Sequence, residues 1–297
     1  MSYPLKAHTL PILEQVIALP DRDRLVGDLI QSFDTLRQTP LDPQTYDPQT
    51  IALVASLRNP IDDLHTYLAL IDAQDPLFDS IYFLLGNSPS SAYAAGPLID
   101  PSAYIAACTA AGHWSRVEFQ DSPGYLICYN DTVPYDERLI LNVRTQADAF
   151  AFVDALRLVA DRTLAFKVLL ATAAGPLNDT EKNDKVVLYY TSARRAERLA
   201  QVDSLLSGIT LEPTLSGFYL ALRPGVGMAA ETDPTWSFTM YNTEYCIEYL
   251  LRHSAGGPEA GISPTADGMY DHVVRRLVAN GRLSADRIDP ADRPAGL

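Results

Sequence analysis

A lysine in an otherwise apolar strand is the residue whose setting most favours chemistry. Lys167 lies within residues 166–170, which read FKVLL, so its side chain must point to one face of a predicted strand. If that face lines a cleft, partial burial lowers the pKa of an amine and makes it a usable general base. The alternative is an edge-strand lysine in water, where the charge discourages pairing with another chain.

Other cations stand near predicted strand ends, where an anion could bind. Arg144 follows the predicted strand at residues 138–143, and a guanidinium binds phosphate through two parallel hydrogen bonds. Lys182 and Lys185 stand on either side of two polar residues just before another strand, and together they are suited to hold an anion. The alternative in each case is a solvated surface charge.

The signatures of several common enzyme classes are absent from the sequence. It contains no phosphate-binding Gly-Lys-Ser loop, no Gly-x-Ser-x-Gly elbow, no His-Glu-x-x-His motif and no dinucleotide fingerprint. The histidines and cysteines lack metal-ligand spacing, so we expect no metal site. The three cysteines stand in apolar or aromatic contexts and are interpreted as reduced core residues, which favours a cytoplasmic location.

Composition favours a folded chain and argues against two classes of partner. Of the 297 residues, 47% are hydrophobic and 20% are charged, which is typical of globular proteins. A net charge of −14 argues against nucleic acid, whose phosphates need a basic surface. The sequence has no apolar run of ~18 residues, so no membrane span is predicted. The N-terminal residues do not resemble a secretory signal. The acidic surface either maintains solubility or attracts a basic peptide or protein.

The elements that must position these side chains change in character near residue 113. Helical periodicity dominates the first third of the chain, whereas short apolar runs separated by turns follow it. Strands are predicted at residues 114–119, 125–129, 138–143, 164–170, 186–190 and 218–222. Helices are predicted after them at residues 147–162, 192–207, 239–252 and 269–279.

This order of elements predicts an α+β fold with a mixed, mainly antiparallel sheet packed with helices. We expect three regions: a helical N-terminal region at 1–111 that packs on the core, an α+β domain at 112–287, and a tail at 288–297. Residues that carry function are expected between Arg144 and Tyr245.

Several short motifs in the second region, taken in order, resemble the HopA-type effector family, whose fold also serves as the lyase component in class V lanthipeptide and thioamitide biosynthesis. The matching segments are GHWSRV at 112–117, LNVR at 141–144, FKV at 166–168, KNDKVVLY at 182–189, PGVGMAAE at 224–231 and SF at 237–238. The resemblance spans about residues 112–280, and it depends on the order and spacing of the motifs.

The resemblance implies a reaction. A phosphorylated Ser or Thr in a precursor peptide would lose phosphate by β-elimination and become a dehydroamino acid. It implies Lys167 as the base and Tyr190 or Tyr219 as the acid. The phosphate-binding residues would be Arg144, Lys182, Lys185 and Arg223. No metal or organic cofactor is required, and a separate kinase must supply the phosphorylated peptide because the chain has no kinase motif.

Three departures from the family pattern support an alternative. Lys182 stands where the family has an arginine, and Thr239 and Asn242 stand where a glycine and a second arginine are expected. A lysine is a point charge and lacks the planar fork that matches phosphate. The alternative is therefore a non-catalytic member of the same fold that binds a peptide or a protein.

Overall fold

The computed structural model describes residues 2–88, 93, 101–120, 124–131, 133–158, 163, 165–170, 181–231, 233 and 235–297. The helices described are Lys6–Ile17 (α1), Arg22–Gln38 (α2), Pro48–Ser56 (α3), Leu64–Leu70 (α4), Pro76–Gly86 (α5), Pro101–Ala111 (α6), Gln146–Leu158 (α7), Arg195–Leu205 (α8), Phe238–His253 (α9) and Ala266–Ala279 (α10). The strands are Arg116–Gln120 (β1), Tyr125–Tyr129 (β2), Glu137–Leu141 (β3), Ala165–Leu169 (β4), Val186–Tyr190 (β5), Leu220–Arg223 (β6) and Val226–Ala230 (β7).

These seven strands form one sheet in the order β1-β2-β4-β5-β3-β7-β6. All six pairings between neighbouring strands are antiparallel. The expected α+β fold with a mainly antiparallel sheet and a helical N-terminal third is confirmed. β4, β5 and β3 occupy the middle of the sheet, so residues on them have strand neighbours on both sides.

One face of this sheet is apolar, because side chains alternate between the two faces along each strand. Leu126 and Cys128 on β2, Phe166 on β4 and Leu188 on β5 share this face and are buried. The ring of Trp114 meets Phe166 edge-on at 5.1 Å. Each fully buried side chain of this size contributes roughly 1.5–3 kcal/mol, so this face holds the core of the sheet.

The sheet belongs to one of two compact units into which the chain divides. This sheet unit comprises residues 1–8, 86–238 and 281–292. The backbone N–H groups of Leu5 and Lys6 donate to one Asp292 carboxylate oxygen at 2.7 and 3.0 Å. Tyr3 forms a bridge with the buried Ile288. Residues 288–292, expected to belong to a tail, thus contact the N-terminal segment, and the region boundaries at 111 and 287 remain predictions.

The helical unit comprises residues 9–85, 239–280 and 293–297. Its core includes Phe33 and Tyr67, whose rings meet at 5.4 Å. Asp75 caps α5, since its carboxylate accepts the backbone N–H groups of Leu77 and Phe78. None of the helices in the part of the chain that the structure describes is long and apolar enough to cross a membrane.

The sequence predicted most of these elements, and β7 is the main exception. Its residues read VGMAA, and no strand is predicted from the sequence after residues 218–222. Gly225 adopts a φ of 74° in the tight turn between β6 and β7, a conformation that glycine tolerates. The helix expected at 192–207 begins as a 3-10 turn at Ser192–Arg194 before α8. The sequence predicts a turn at residues 121–124 and a polar loop at residues 175–184, and residues 121–123 and 175–180 of these lie outside the described residues.

Candidate functional site

The face of the sheet opposite the apolar core carries charged and aromatic side chains. Strand register places Lys167 on β4 beside Val187 on β5, and Tyr189 two residues further along β5 beside Arg138 on β3. Side chains opposite each other in a ladder share a face, as do residues two apart. We call this surface the polar face, and Tyr125 and Tyr129 on β2 also belong to it.

Lys167 lies in the middle of the polar face and its side chain is 20% exposed. Its Nζ lies 3.6 Å from Oδ2 of Asp184 and 4.2 Å from the centre of the Tyr125 ring. β4 pairs with β2 on one side and β5 on the other. The alternative of an edge-strand lysine is therefore wrong, and the ammonium stands beside a carboxylate and over an aromatic face.

Asp184 is the acidic centre of this group. The hydroxyl of Tyr125 donates to its Oδ1 at 3.0 Å. Burial acts to raise the pKa of Asp184, but the charges of Lys167, Lys182 and Arg138 outweigh it and hold the pKa below its ordinary value. Asp184 is thus a carboxylate on which three cations act.

Arg138 is the second buried cation of the polar face, at 3% exposure. It forms an ion pair with Glu231, and its Nη1 donates to the hydroxyl of Tyr219 at 3.3 Å. Its guanidinium carbon lies 5.5 Å from the centre of the Tyr189 ring, within the range of a cation–π contact. Arg138 therefore links a predicted acid, the fully buried Tyr219, to the polar face.

Tyrosine rings extend the polar face beside Arg138. The ring centres of Tyr129 and Tyr189 are 5.3 Å apart, and Tyr135 lies 5.8 Å from Tyr129. Burial raises the pKa of Tyr129 and of Tyr189 above the ordinary value, so both phenols keep their protons at neutral pH. The surface can therefore offer hydroxyl donors and aromatic contact next to two cations.

Lys185 and Arg144 lie around the end of β3. The fully buried Nζ of Lys185 donates to Oδ1 of Asn142 at 2.8 Å and to the Val143 carbonyl at 3.0 Å. Arg144 is 59% exposed, and its Nε lies 3.3 Å from a Glu212 carboxylate oxygen. Lys185 thus ties the start of β5 to the end of β3, and Arg144 is the more accessible of the two.

Burial lowers the pKa of Lys185 to about 8, although the Glu212 and Asp184 carboxylates act in the opposite direction. The amine is nevertheless charged at neutral pH and donates hydrogen bonds to protein oxygens. Its expected role in phosphate binding remains a prediction, and the observed contacts give it a structural role.

Tyr190 and Arg223 are not brought together with Lys167. Tyr190 alternates with Tyr189 along β5 and so faces the apolar side, where it is 1% exposed. Burial and the Glu137 carboxylate raise its pKa. Arg223 lies at the end of β6 and pairs with Asp203 at 3.0 Å.

Three charged residues of the polar face were not singled out from the sequence: Arg138, Asp184 and Glu231. Arg138 carried the same signal as Lys167, a single charge within an apolar strand, because residues 138–141 read RLIL. Asp184 and Glu231 precede or follow strands, where no local pattern distinguishes a site residue from a loop residue. Tertiary contact alone identifies them.

The two departures from the expected motif at the start of α9 are buried in the helical unit. Asn242 is fully buried and Thr239 is 7% exposed. The hydroxyl of Thr243 donates to the Thr239 carbonyl one turn earlier. These positions therefore pack within the protein.

Comparison with known proteins yields structural similarity only. No protein-family model and no curated protein matches the chain. One similar solved structure is an effector protein from Pseudomonas syringae pv. syringae strain 61, with a TM-score of 0.46, 13% identity, and coverage of 84% of this chain and 98% of that one.

Another is an effector protein from Pseudomonas syringae pv. tomato strain DC3000, with a TM-score of 0.47, 16% identity, and coverage of 92% and 98%. Both similar structures are effector proteins at low identity. Any activity must therefore be argued from the chain's own residues.

Proposed function

We propose that this chain is a phosphoserine or phosphothreonine lyase that makes dehydroamino acids in a precursor peptide during peptide natural-product maturation in the cytoplasm. The observation that carries the proposal is the position of Lys167 on an interior strand beside Asp184, a carboxylate on which Lys182 and Arg138 also act. A single partly exposed amine among further cations suits a reaction that removes a proton near a phosphate.

The elimination needs three groups. A base takes the proton from Cα of the phosphorylated residue, the released electron pair forms the Cα–Cβ double bond, and the Cβ–O bond breaks to release phosphate. Lys167 in its neutral form is the base of the proposal. Lys182 and Arg144 supply positive charge for the phosphate, and Tyr219, fixed by its hydrogen bond from Arg138, supplies the proton for the leaving group.

Lys167 must release its own proton before it can act as the base. Its Nζ lies 3.6 Å from Asp184, beyond the normal range of a hydrogen bond, and the carboxylate favours the charged amine. The proposal therefore implies a rate that rises with pH until the amine is deprotonated. The substrate also implies a partner kinase, which must act first.

The test is incubation with a phosphothreonine peptide, followed by mass spectrometry for the loss of phosphoric acid. Lys167→Ala and Lys167→Arg should both lower the rate of elimination by at least about 100-fold, the low end for a general base. Lys167→Arg keeps the charge beside Asp184, but a guanidinium cannot lose its proton.

Lys6→Ala, in α1, is the control and should eliminate phosphate at the rate of the unchanged protein. Elimination that survives in Lys167→Arg would rule out Lys167 as the base. No elimination from any phosphorylated peptide would reject the lyase proposal itself.

A second candidate function has its own supporting observation. Lys167 and Arg138 already hold the internal carboxylates Asp184 and Glu231, so an incoming phosphate must compete with them. The same arrangement suits a non-catalytic protein that binds a peptide or a protein through tyrosines and paired charges. Binding of an unphosphorylated peptide, with no elimination from its phosphorylated form, would favour this alternative.

A further inference from the structure

Three arginines line one pocket of the sheet unit. The pocket has a volume of about 240 Å³, and Arg195, Arg282 and Arg287 lie in its wall together with Ser192 and Ser284. Arg195 begins α8, whereas Arg282 and Arg287 come from the segment after α10. The pocket thus collects positive charge from parts of the chain that are distant in sequence.

One buried carboxylate is shared by two of these guanidinium groups. Glu137 is 3% exposed. Its Oε2 accepts from Nε of Arg195 at 2.8 Å, its Oε1 also contacts Nη2 of Arg195, and Oε1 accepts from Nη1 of Arg287 at 2.7 Å. Since one negative charge cannot neutralise two positive charges, this group retains an excess of positive charge.

The two guanidinium groups also keep unused donors. Arg195 uses Nε and Nη2 for Glu137, and its Nη1 makes no hydrogen bond to any described residue. Its side chain is 35% exposed. Nη2 of Arg287 contacts the sulfur of Met228, which is only a weak acceptor. Both arginines can therefore donate to a further acceptor.

The other acid in the wall, Asp136, adds a second negative charge but does not bring the lining to neutrality. The Asp136 carboxylate accepts from the backbone N–H of Ser192 at 2.5 Å and from the Ser192 hydroxyl at 2.7 Å. Three arginines against Asp136 and Glu137 leave one positive charge in the lining, in a chain whose net charge is −14. An anion bound in the pocket would neutralise this remaining positive charge.

We propose that this pocket binds a small oxyanion, either a phosphate or a carboxylate group, through Arg195, Arg282 and Arg287. Guanidinium groups recognise both through paired charge-assisted hydrogen bonds. This site is independent of the proposed lyase, because Glu137 points away from the polar face, as its strand neighbour Arg138 alternates with it.

The test is isothermal titration of the full chain at low ionic strength with inorganic phosphate in one arm and acetate in the other. Both titrations use a Lys167→Ala background, so that the polar face contributes less to the signal. Arg195→Gln and Arg282→Gln should each weaken binding about tenfold, since each removes a charge-assisted hydrogen bond or its charge. Arg116→Gln, an exposed ion-paired arginine on β1, is the matched control and should bind as the parent does.

A variant with the opposite sign separates a binding role from a structural one. Glu137→Gln removes the internal competitor of the anion while keeping its shape, and should strengthen binding about tenfold. A preference for phosphate over acetate would identify a phosphate group as the ligand, and the reverse would identify a carboxylate. Absence of binding in both arms at millimolar concentrations, or equal affinity in the parent, Arg195→Gln and Arg282→Gln, would overturn the proposal.

Discussion

Two lysines that looked alike in the sequence occupy different environments. Lys167 is partly exposed beside Asp184. Lys185 is fully buried, and its ammonium donates hydrogen bonds to the Asn142 side chain and the Val143 carbonyl. From the sequence, Lys167 is expected to act as the base and Lys185 to bind phosphate. The number of donors committed to protein oxygens distinguishes an amine that can meet a substrate from one that holds two strands together.

The low pKa of Lys185 predicts how the stability of the fold depends on pH. In the unfolded chain the amine titrates near 10.5, and in the folded chain near 8. Between these values the unfolded chain binds a proton that the folded chain does not, so stability rises with pH. Below pH 8 the full cost of burying the charge is present, about 3 kcal/mol for a shift of this size.

The measurement is the free energy of unfolding of the unchanged chain and of Lys185→Met between pH 7 and about 11. As the pH rises from 8 to 10.5, the free energy of unfolding of the unchanged chain should increase relative to that of Lys185→Met. Curves that stay parallel across this window would contradict the pKa assigned to Lys185.

At the scale of elements, two glycines predict opposite effects of the same substitution. A Cβ at Gly227 on β7 would lie 3.1 Å from Cβ of Tyr219 and 3.2 Å from a side-chain carbon of Ile140. A Cβ at Gly27 in α2 would meet nothing within 4 Å. The backbone of β7 at Gly227 therefore lies close to Tyr219 and Ile140, whereas a methyl group added at Gly27 would have space around it.

Gly227→Ala should destabilise the protein by about 1–3 kcal/mol because the added methyl group overpacks the sheet. Gly27→Ala should stabilise it by about 0.5–1 kcal/mol because alanine favours a helix interior. Denaturant unfolding of the two variants checks both values. Equal shifts in the two variants would contradict the packing argument.

The helices and most strands could be predicted because their signal is local. Periodicity of 3.6 residues marked α2, and a short apolar run marked β5. Strand β7 could not be predicted, because its glycine and alanines have weak strand propensity and it is held by pairing with β3 and β6. The polar face could be predicted in part, since Lys167 interrupts an apolar run. Its partners Asp184 and Glu231 come from other segments, and only their tertiary contacts with Lys167 and Arg138 identify them.

At the scale of the whole molecule, the net charge of −14 bears on the choice between the two proposed functions. If the chain binds a basic peptide, the affinity should fall steadily as sodium chloride is added, because exposed charges are screened over about 10 Å at 0.1 M salt. Fluorescence anisotropy with a labelled lysine-rich peptide measures this, and a peptide of zero net charge is the control. An affinity that does not change with salt would rule out a contribution from the acidic surface.

The strand order also sets a sequence of events during synthesis. β1 and β2 are adjacent in the chain and can pair as soon as both have left the ribosome, but β3 lies in the sheet between β5 and β7. β3 therefore emerges with both of its edges unpaired and stays so until β5 and then β7, which ends at residue 230, have been made. Unpaired strand edges invite pairing with other chains. β3 is thus the strand that waits longest for its partners during synthesis and is the most exposed to pairing with other chains.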